Sequence, residues 1–178
     1  PRAGRYTLAT SAERDFARQV KEDCCYVAFN PTKEEEHAAQ PGTYRLPDGT
    51  TIPIGPERFR APEVLFRPEL VGSEARGAHE CVSRAIQLAD LDLRKTLYSS
   101  MVLAGGSTLF PGFGDRLLNE VRKLSPKDVK IRIAAPPERI FSTWIGGSIL
   151  ASLATFKTMW VTKSEYDEQG AAILNRRS

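Results

Sequence analysis

A short apolar run, Met101-Val102-Leu103-Ala104, passes into Gly105-Gly106 and then Ser107-Thr108 just ahead of an amphipathic segment, and here the chain could do chemistry. A glycine pair lets bare backbone approach a ligand more closely than any Cβ permits. Residues 101–104 have the pattern of a buried strand. Phe113, Leu117, Leu118, Val121 and Leu124 then recur at helical spacing. The free N–H groups and dipole at the start of that helix suit an anion, although the segment fits neither GxGxxG nor the P-loop. A tight strand-to-helix turn with no ligand is the simpler account of the spacing alone.

A second group of polar residues lies near the amino end. Thr10-Ser11-Ala12-Glu13 reads as a capping box opening a helix to about Tyr26. Phe16, Val20, Cys24 and Val27 form its apolar stripe, which leaves Arg14, Arg18, Lys21 and Glu22 on other faces. By themselves these charges describe a solvated helix face. His37 and His79 have no Cys, Asp or second His at ligand or triad spacing, so both are expected to be structural. Cys24, Cys25 and Cys81 match neither a zinc site nor a disulfide framework and are expected to be reduced, mostly buried thiols.

These groups need a scaffold, and composition bounds it. The 178 residues are 41% hydrophobic and 26% charged, which is ordinary globular composition. Lys and Arg number 25 against 22 acidic residues, and a net charge of +3 with both signs interspersed gives no argument for a nucleic-acid partner. No apolar run is long enough to cross a bilayer and no signal-peptide core is present, so an intracellular protein is expected. Beginning at Pro1 without Met, it is expected to be a processed or partial piece of something longer.

Between the two groups, Asn30 to Gly42 is polar and is expected to be a mobile loop. A hairpin follows: Tyr44 to Leu46, the turn Pro47-Asp48-Gly49, then Thr51 to Ile54, with Pro53 marking a sheet edge. Ala78, Cys81, Val82, Ala85 and Ile86 predict a helix over 77–88, and the cluster Asp90-Leu91-Asp92-Leu93-Arg94-Lys95 separates it from the glycine strand. Val129, Ile131 and Ile133 alternate with Lys130 and Arg132, the pattern of a half-exposed strand. Trp144-Ile145-Gly146-Gly147-Ser148 repeats the apolar-to-Gly-Gly pattern, and Thr162 with Glu165 opens a helical tail. Alternation of strands and helices predicts an α/β architecture.

Over nearly the whole chain these segments resemble the carboxy-terminal half of the actin family. The matching motifs are Tyr44-Arg45-Leu46-Pro47-Asp48-Gly49, Glu57-Arg58-Phe59-Arg60-Ala61-Pro62-Glu63, Leu103 to Gly112, and Ala135-Pro136-Pro137-Glu138-Arg139 running into Ser142-Thr143-Trp144-Ile145-Gly146-Gly147-Ser148-Ile149-Leu150-Ala151-Ser152-Leu153. Phe29-Asn30-Pro31, Gly55-Pro56-Glu57 and Gly112-Phe113-Gly114-Asp115-Arg116-Leu117 look more like the centractin branch, the actin-related filament subunits of dynactin, than conventional actin. Pro111 departs from that branch's pattern and resembles conventional actin, and the ending Asn175-Arg176-Arg177-Ser178 departs from the pattern of the family.

The resemblance implies an actin-like ATPase (ribonuclease H-like) fold, carboxy-terminal half only. Residues 1–73 would form a small outer lobe (subdomain 4-like), 74–141 a large lobe (subdomain 3-like), and 142–178 part of a subdomain 1-like lobe. It implies an adenine nucleotide, ATP or ADP, contacted by Arg18, Lys21 and Glu22 from the capped helix and by Gly105, Gly106, Ser107, Leu109 and Phe110 from the glycine segment. Mg2+ would be held mainly by the missing half, and the chain alone would not hydrolyse ATP. Ile140 stands where conventional actin has a lysine near the adenine. Implied partners are further filament subunits (itself or actin), dynactin subunits and dynein, in the cytoplasm and its cytoskeleton. Part of the apolar stripe Ile149, Leu150, Leu153, Phe156 and Met159 would border a groove for partner helices, the rest being core. Pro68 to Gly77 resembles a loop that plugs between filament strands, and Asp90 to Lys95 a longitudinal contact. Conventional actin, a nuclear actin-related subunit, and an ATP-using enzyme of sugar-kinase or Hsp70 type are the alternatives.

Overall fold

A computed structural model describes residues 10–36, 42–46 and 49–176. Eight α-helices are described: α1 (Ser11–Cys24), α2 (Pro31–Glu36), α3 (Glu57–Glu63), α4 (Ala78–Leu88), α5 (Leu91–Ser99), α6 (Phe113–Leu124), α7 (Ser142–Ser152) and α8 (Lys163–Gln169). Strands β1 (Gly42–Arg45) and β2 (Thr51–Ile54) pair antiparallel with Tyr44 opposite Ile52. Strands β3 (Met101–Val102) and β4 (Ile133–Ala134) pair in parallel. Mixed helices and small sheets make this an α/β fold.

The core gathers on α6. Phe113, Leu117 and Val121 are spaced by four and are 6%, 3% and 0% exposed. Removing three such side chains from water contributes roughly 1.5–3 kcal/mol each before entropy is charged against it. Asp115 in the first turn and Arg122 and Lys123 in the last complement the helix dipole. Phe66 from the segment after α3, Ile86 from α4, Tyr98 from α5 and Leu103 beyond β3 close the cluster. Gly77 starts α4 because a Cβ there would strike the Phe66 carbonyl, and its N–H donates to Glu80 Oε2 at 3.1 Å.

Several expectations change. The polar stretch after Asn30 is not all loop, since α2 forms where Asn30 Oδ1 accepts from the Lys33 N–H and Tyr26 O–H donates to Glu34 Oε1 at 2.7 Å. Asp90 to Lys95 belongs largely to α5 rather than to a connector. Residues 101–104 do not form a fully buried strand: Val102 is 67% exposed while Leu103 is 7% exposed, and among the described residues β3 pairs with β4 alone. Val129 and Ile131 pack on the core, but only Ile133–Ala134 of that segment is strand. Trp144 to Ser148 lies inside α7, a helix apolar around most of its circumference, with no buried residue.

The thiols are not mostly buried either. Cys25 is buried, Cys24 half-buried and Cys81 exposed. Burial pushes the Cys25 and Cys24 thiols above their ordinary pKa, only partly offset by Arg58, which keeps both protonated. His79 stacks on Phe66 with ring centroids 5.8 Å apart. The stripe Ile149, Leu150, Leu153 and Met159 is exposed and supplies no core here; Phe156 is half-buried, edge-on to Trp160. The capping box at Thr162 forms, with Thr162 N–H donating to Glu165 Oε2 at 2.8 Å. Pro47, Asp48, His37, the Glu13 side chain and the ends of the chain lie outside the described residues. Among the described residues no helix is long and apolar enough to cross a membrane.

Candidate functional site

The glycine segment forms one wall of a pocket and α1 the other. Gly105 has φ 88°, a left-handed value that favours glycine, and it turns the chain out of β3 into a short 3-10 turn over Gly106–Leu109. Gly112, with φ 82°, then turns it into α6. Its missing side chain matters, because a Cβ there would drive into the Val27 carbonyl oxygen. That contact, with the Val27 N–H donating to the Pro111 carbonyl at 2.8 Å, pins the chain after α1 to the end of the glycine segment. Two parts of the sequence far apart are thereby set face to face.

The resulting cavity has a volume of about 340 Å³ and is lined by Lys21, Glu22, Gly106, Ser107, Leu109, Phe110 and Ile140. That is at the lower end of the range for small-molecule sites, roughly 300–1,000 Å³. Lys21 Nζ lies 5.9 Å from the centre of the Phe110 ring and 3.9 Å from Glu22 Oε1. A cation near an aromatic face is attracted to the ring, which draws the half-exposed Lys21 side chain toward Phe110. Leu109 and Ile140 are 38% and 48% exposed, which leaves apolar surface uncovered inside the pocket. A Cβ built on Gly106 would meet only Ile140, at 3.7 Å and 3.9 Å. The bare Gly106 backbone and the Ile140 side chain therefore lie close together in one stretch of the cavity's lining.

Of the residues singled out from the sequence, Lys21, Glu22, Gly106, Ser107, Leu109 and Phe110 come together around this cavity. Arg18 and Gly105 do not line it. Arg18 is exposed and pairs with Asp15 at 3.4 Å, one turn before Lys21 on α1, and Gly105 shapes the turn behind the wall. Ile140 forms part of the lining although sequence reasoning saw only a missing lysine there. Arg139 and Thr108, which tie the wall together from behind, were missed altogether, since no spacing links positions 31 residues apart.

The cavity offers apolar surface at Leu109, Phe110 and Ile140, bare backbone at Gly106, a donor in Lys21 and an acceptor in Glu22. It holds no nucleophile with a base at hydrogen-bond distance. Among the described residues, no three His, Cys, Asp or Glu side chains converge to hold a metal ion.

One comparison bears on this arrangement. The family model described as Actin matches residues 2–178, so the match takes in α1, the glycine segment and the Ile140 wall alike. With nearly every residue inside that match and an α/β architecture that agrees with it, this chain belongs to the actin family.

Proposed function

We propose that this chain is part of a structural actin-related protein that binds an adenine nucleotide and assembles into a short actin-like filament. The observation that carries the reading is the cavity between α1 and the glycine segment, where backbone at Gly106, apolar Ile140 and the Lys21–Glu22 pair converge. The base would lie against Gly106, with Leu109, Phe110 and Ile140 excluding water from its faces. Lys21 and Glu22 would hold the polar edge of the base or the ribose. Bound nucleotide would serve as a latch between lobes, and Mg2+ would be held mainly by residues outside this chain.

The division into lobes at about residues 73 and 141 belongs to the same proposal. So does the closer assignment to the centractin branch, and with it a dynactin scaffold for dynein-driven transport along microtubules in the cytoplasm. The motifs around Phe29, Gly55 and Gly112 support that assignment. The unburied apolar helix α7 supports a chain that works in assembly, since a helix apolar all round is ordinarily covered.

Titration with a fluorescent ATP analogue tests the pocket. Gly106 has no positive φ, and a substituent there meets only the Ile140 side chain at ordinary contact distance, so Gly106→Val should fold and add bulk to the cavity wall. The valine variant is expected to lose binding, while Lys21→Ala weakens it by about 1 kcal/mol, the scale of one hydrogen bond. Unchanged affinity in Gly106→Val would reject the assignment.

A further inference from the structure

Arg139 lies outside the cavity yet holds its wall from behind. Its Nε donates to Thr108 Oγ1 at 3.0 Å, its Nη2 to the Thr108 carbonyl at 2.9 Å, and its Nη1 to the Pro136 carbonyl at 3.0 Å. Its own carbonyl accepts from the Gly105 N–H at 2.8 Å and from the Ser142 hydroxyl at 3.0 Å. Thr108 closes the loop on itself, donating through its hydroxyl to the Gly105 carbonyl at 2.8 Å. Both ends of the Gly105–Thr108 turn are thus tied to one residue. The next residue in the chain is Ile140, whose Cδ1 lies 3.7 Å from the point a Gly106 Cβ would occupy.

We infer that Arg139, with Thr108 as its relay, is the positioning residue that holds Gly106 and the neighbouring Ile140 together as one wall of the cavity and so sets the surface that a flat base meets. The inference rests on the nucleotide reading above. Its physical basis is the planar fork of the guanidinium, which fixes two acceptors of Thr108 in one plane and so fixes the turn as well as its distance. A lysine can reach one acceptor but cannot reproduce the fork.

The test uses the 178-residue chain and its Arg139→Ala, Arg139→Lys and Thr108→Val variants. Two measurements are made: titration with 1,N6-etheno-ATP, whose modified base fluoresces, and amide hydrogen exchange across residues 103–110. Arg139→Ala and Thr108→Val should each weaken binding about tenfold, the scale of one lost charge-assisted hydrogen bond, and speed exchange in that turn but not in α6. Bound etheno-adenine should become open to acrylamide quenching. Millimolar guanidinium should partly restore binding to Arg139→Ala and not to Thr108→Val, and Arg139→Lys should fall between parent and Ala. Parental affinity with unchanged exchange in Arg139→Ala would overturn the proposal. So would equal losses of affinity and melting temperature in every variant without guanidinium rescue, the mark of a merely structural role. If the parent itself fails to bind etheno-ATP, the nucleotide reading falls. Exchange then decides the clamp alone, faster exchange in Arg139→Ala upholding it and unchanged exchange refuting it.

Discussion

Arg116 on α6 grips Glu63 at the end of α3 bidentately inside the protein, with Nη1 donating to Oε2 at 3.0 Å and Nη2 to Oε1 at 2.9 Å. The two side chains are only 6% and 4% exposed. Arg116 also donates to the Ala28 carbonyl at 2.8 Å and to Glu120 Oε1 at 2.8 Å, and it lies 5.0 Å from the centre of the Phe66 ring. One guanidinium therefore joins α3, α6 and the segment following α1, the three pieces that bring Lys21 up to the glycine wall. Desolvating such a pair costs several kcal/mol, and the bidentate geometry with its further hydrogen bonds offsets this.

Removing one partner leaves the other charge buried. Glu63→Gln and Arg116→Met are each expected to destabilise the chain by about 3–5 kcal/mol. The double variant should lose less than the sum of the two. Urea unfolding followed by circular dichroism measures all three, and single variants within about 1 kcal/mol of the parent would show that the pair adds nothing.

Glu120 makes the same region sensitive to acid. Burial raises its carboxyl pKa, but hydrogen bonds from Lys123 and Arg116 outweigh that, and the group lies below the ordinary carboxylate value of 4.5. A group whose pKa is depressed by folding contributes stability that is present above its unfolded pKa and is lost as pH falls through the folded one. Stability should therefore decline below about pH 4.5, and Glu120→Gln should flatten that part of the decline. Melting curves between neutral pH and pH 3 check it; an identical slope in the Gln variant would remove Glu120 from the account.

The glycines around the site should separate into two kinds. Gly112→Ala combines a left-handed backbone with a clash against the Val27 carbonyl, so it should destabilise by several kcal/mol and loosen α1 from the glycine wall. Gly114, inside α6, has only Leu103 Cδ1 at 3.8 Å from a built Cβ. Gly114→Ala should cost nothing and can add up to about 1 kcal/mol of helix propensity. Thermal unfolding of the two proteins side by side distinguishes them, and equal melting temperatures would contradict the geometry.

Local patterns were legible where one face of an element decides its fate. The spacing of Phe113, Leu117 and Val121 announces α6, Pro-Asp-Gly between two extended runs announces the hairpin, and Thr162 with Glu165 announces α8. Patterns failed where the deciding partner is distant or the pattern has no face. The polar run at Pro31–Glu36 is helical because Asn30 caps it and Tyr26 holds Glu34. Helix α7 has no polar face to betray its period, so Trp144 to Ser148 reads as a repeat of the apolar-to-Gly-Gly pattern rather than as helix. Cys81 and Ala85 fit the apolar stripe of α4, yet the buried face is turned toward Ser83 and Ile86. At the site, spacing identified the glycine segment alone; the opposing Lys21 and Glu22 came from resemblance. The Arg116–Glu63 and Arg139–Thr108 pairs, 53 and 31 residues apart, have no local signature at all.

Assembly gives the last prediction, through the charges and exposed leucines of α5. Leu91 and Leu93 are 74% and 52% exposed on the helix that carries Asp92, Arg94 and Lys95. Apolar surface among alternating charges suits a subunit contact, in which charges contribute register more than raw affinity. The two bases are not equivalent. Arg94 is half-buried and its Nε donates to the Ala89 carbonyl at 3.1 Å, bracing the junction between α4 and α5, whereas Lys95 is exposed. Arg94→Glu should therefore lower both the melting temperature and self-association, while Lys95→Glu should lower self-association alone. Sedimentation of the chain over a range of concentrations, beside melting curves of the same samples, separates the two effects. If Lys95→Glu self-associates as the parent does, the charge cluster is solvated surface and the contact lies elsewhere.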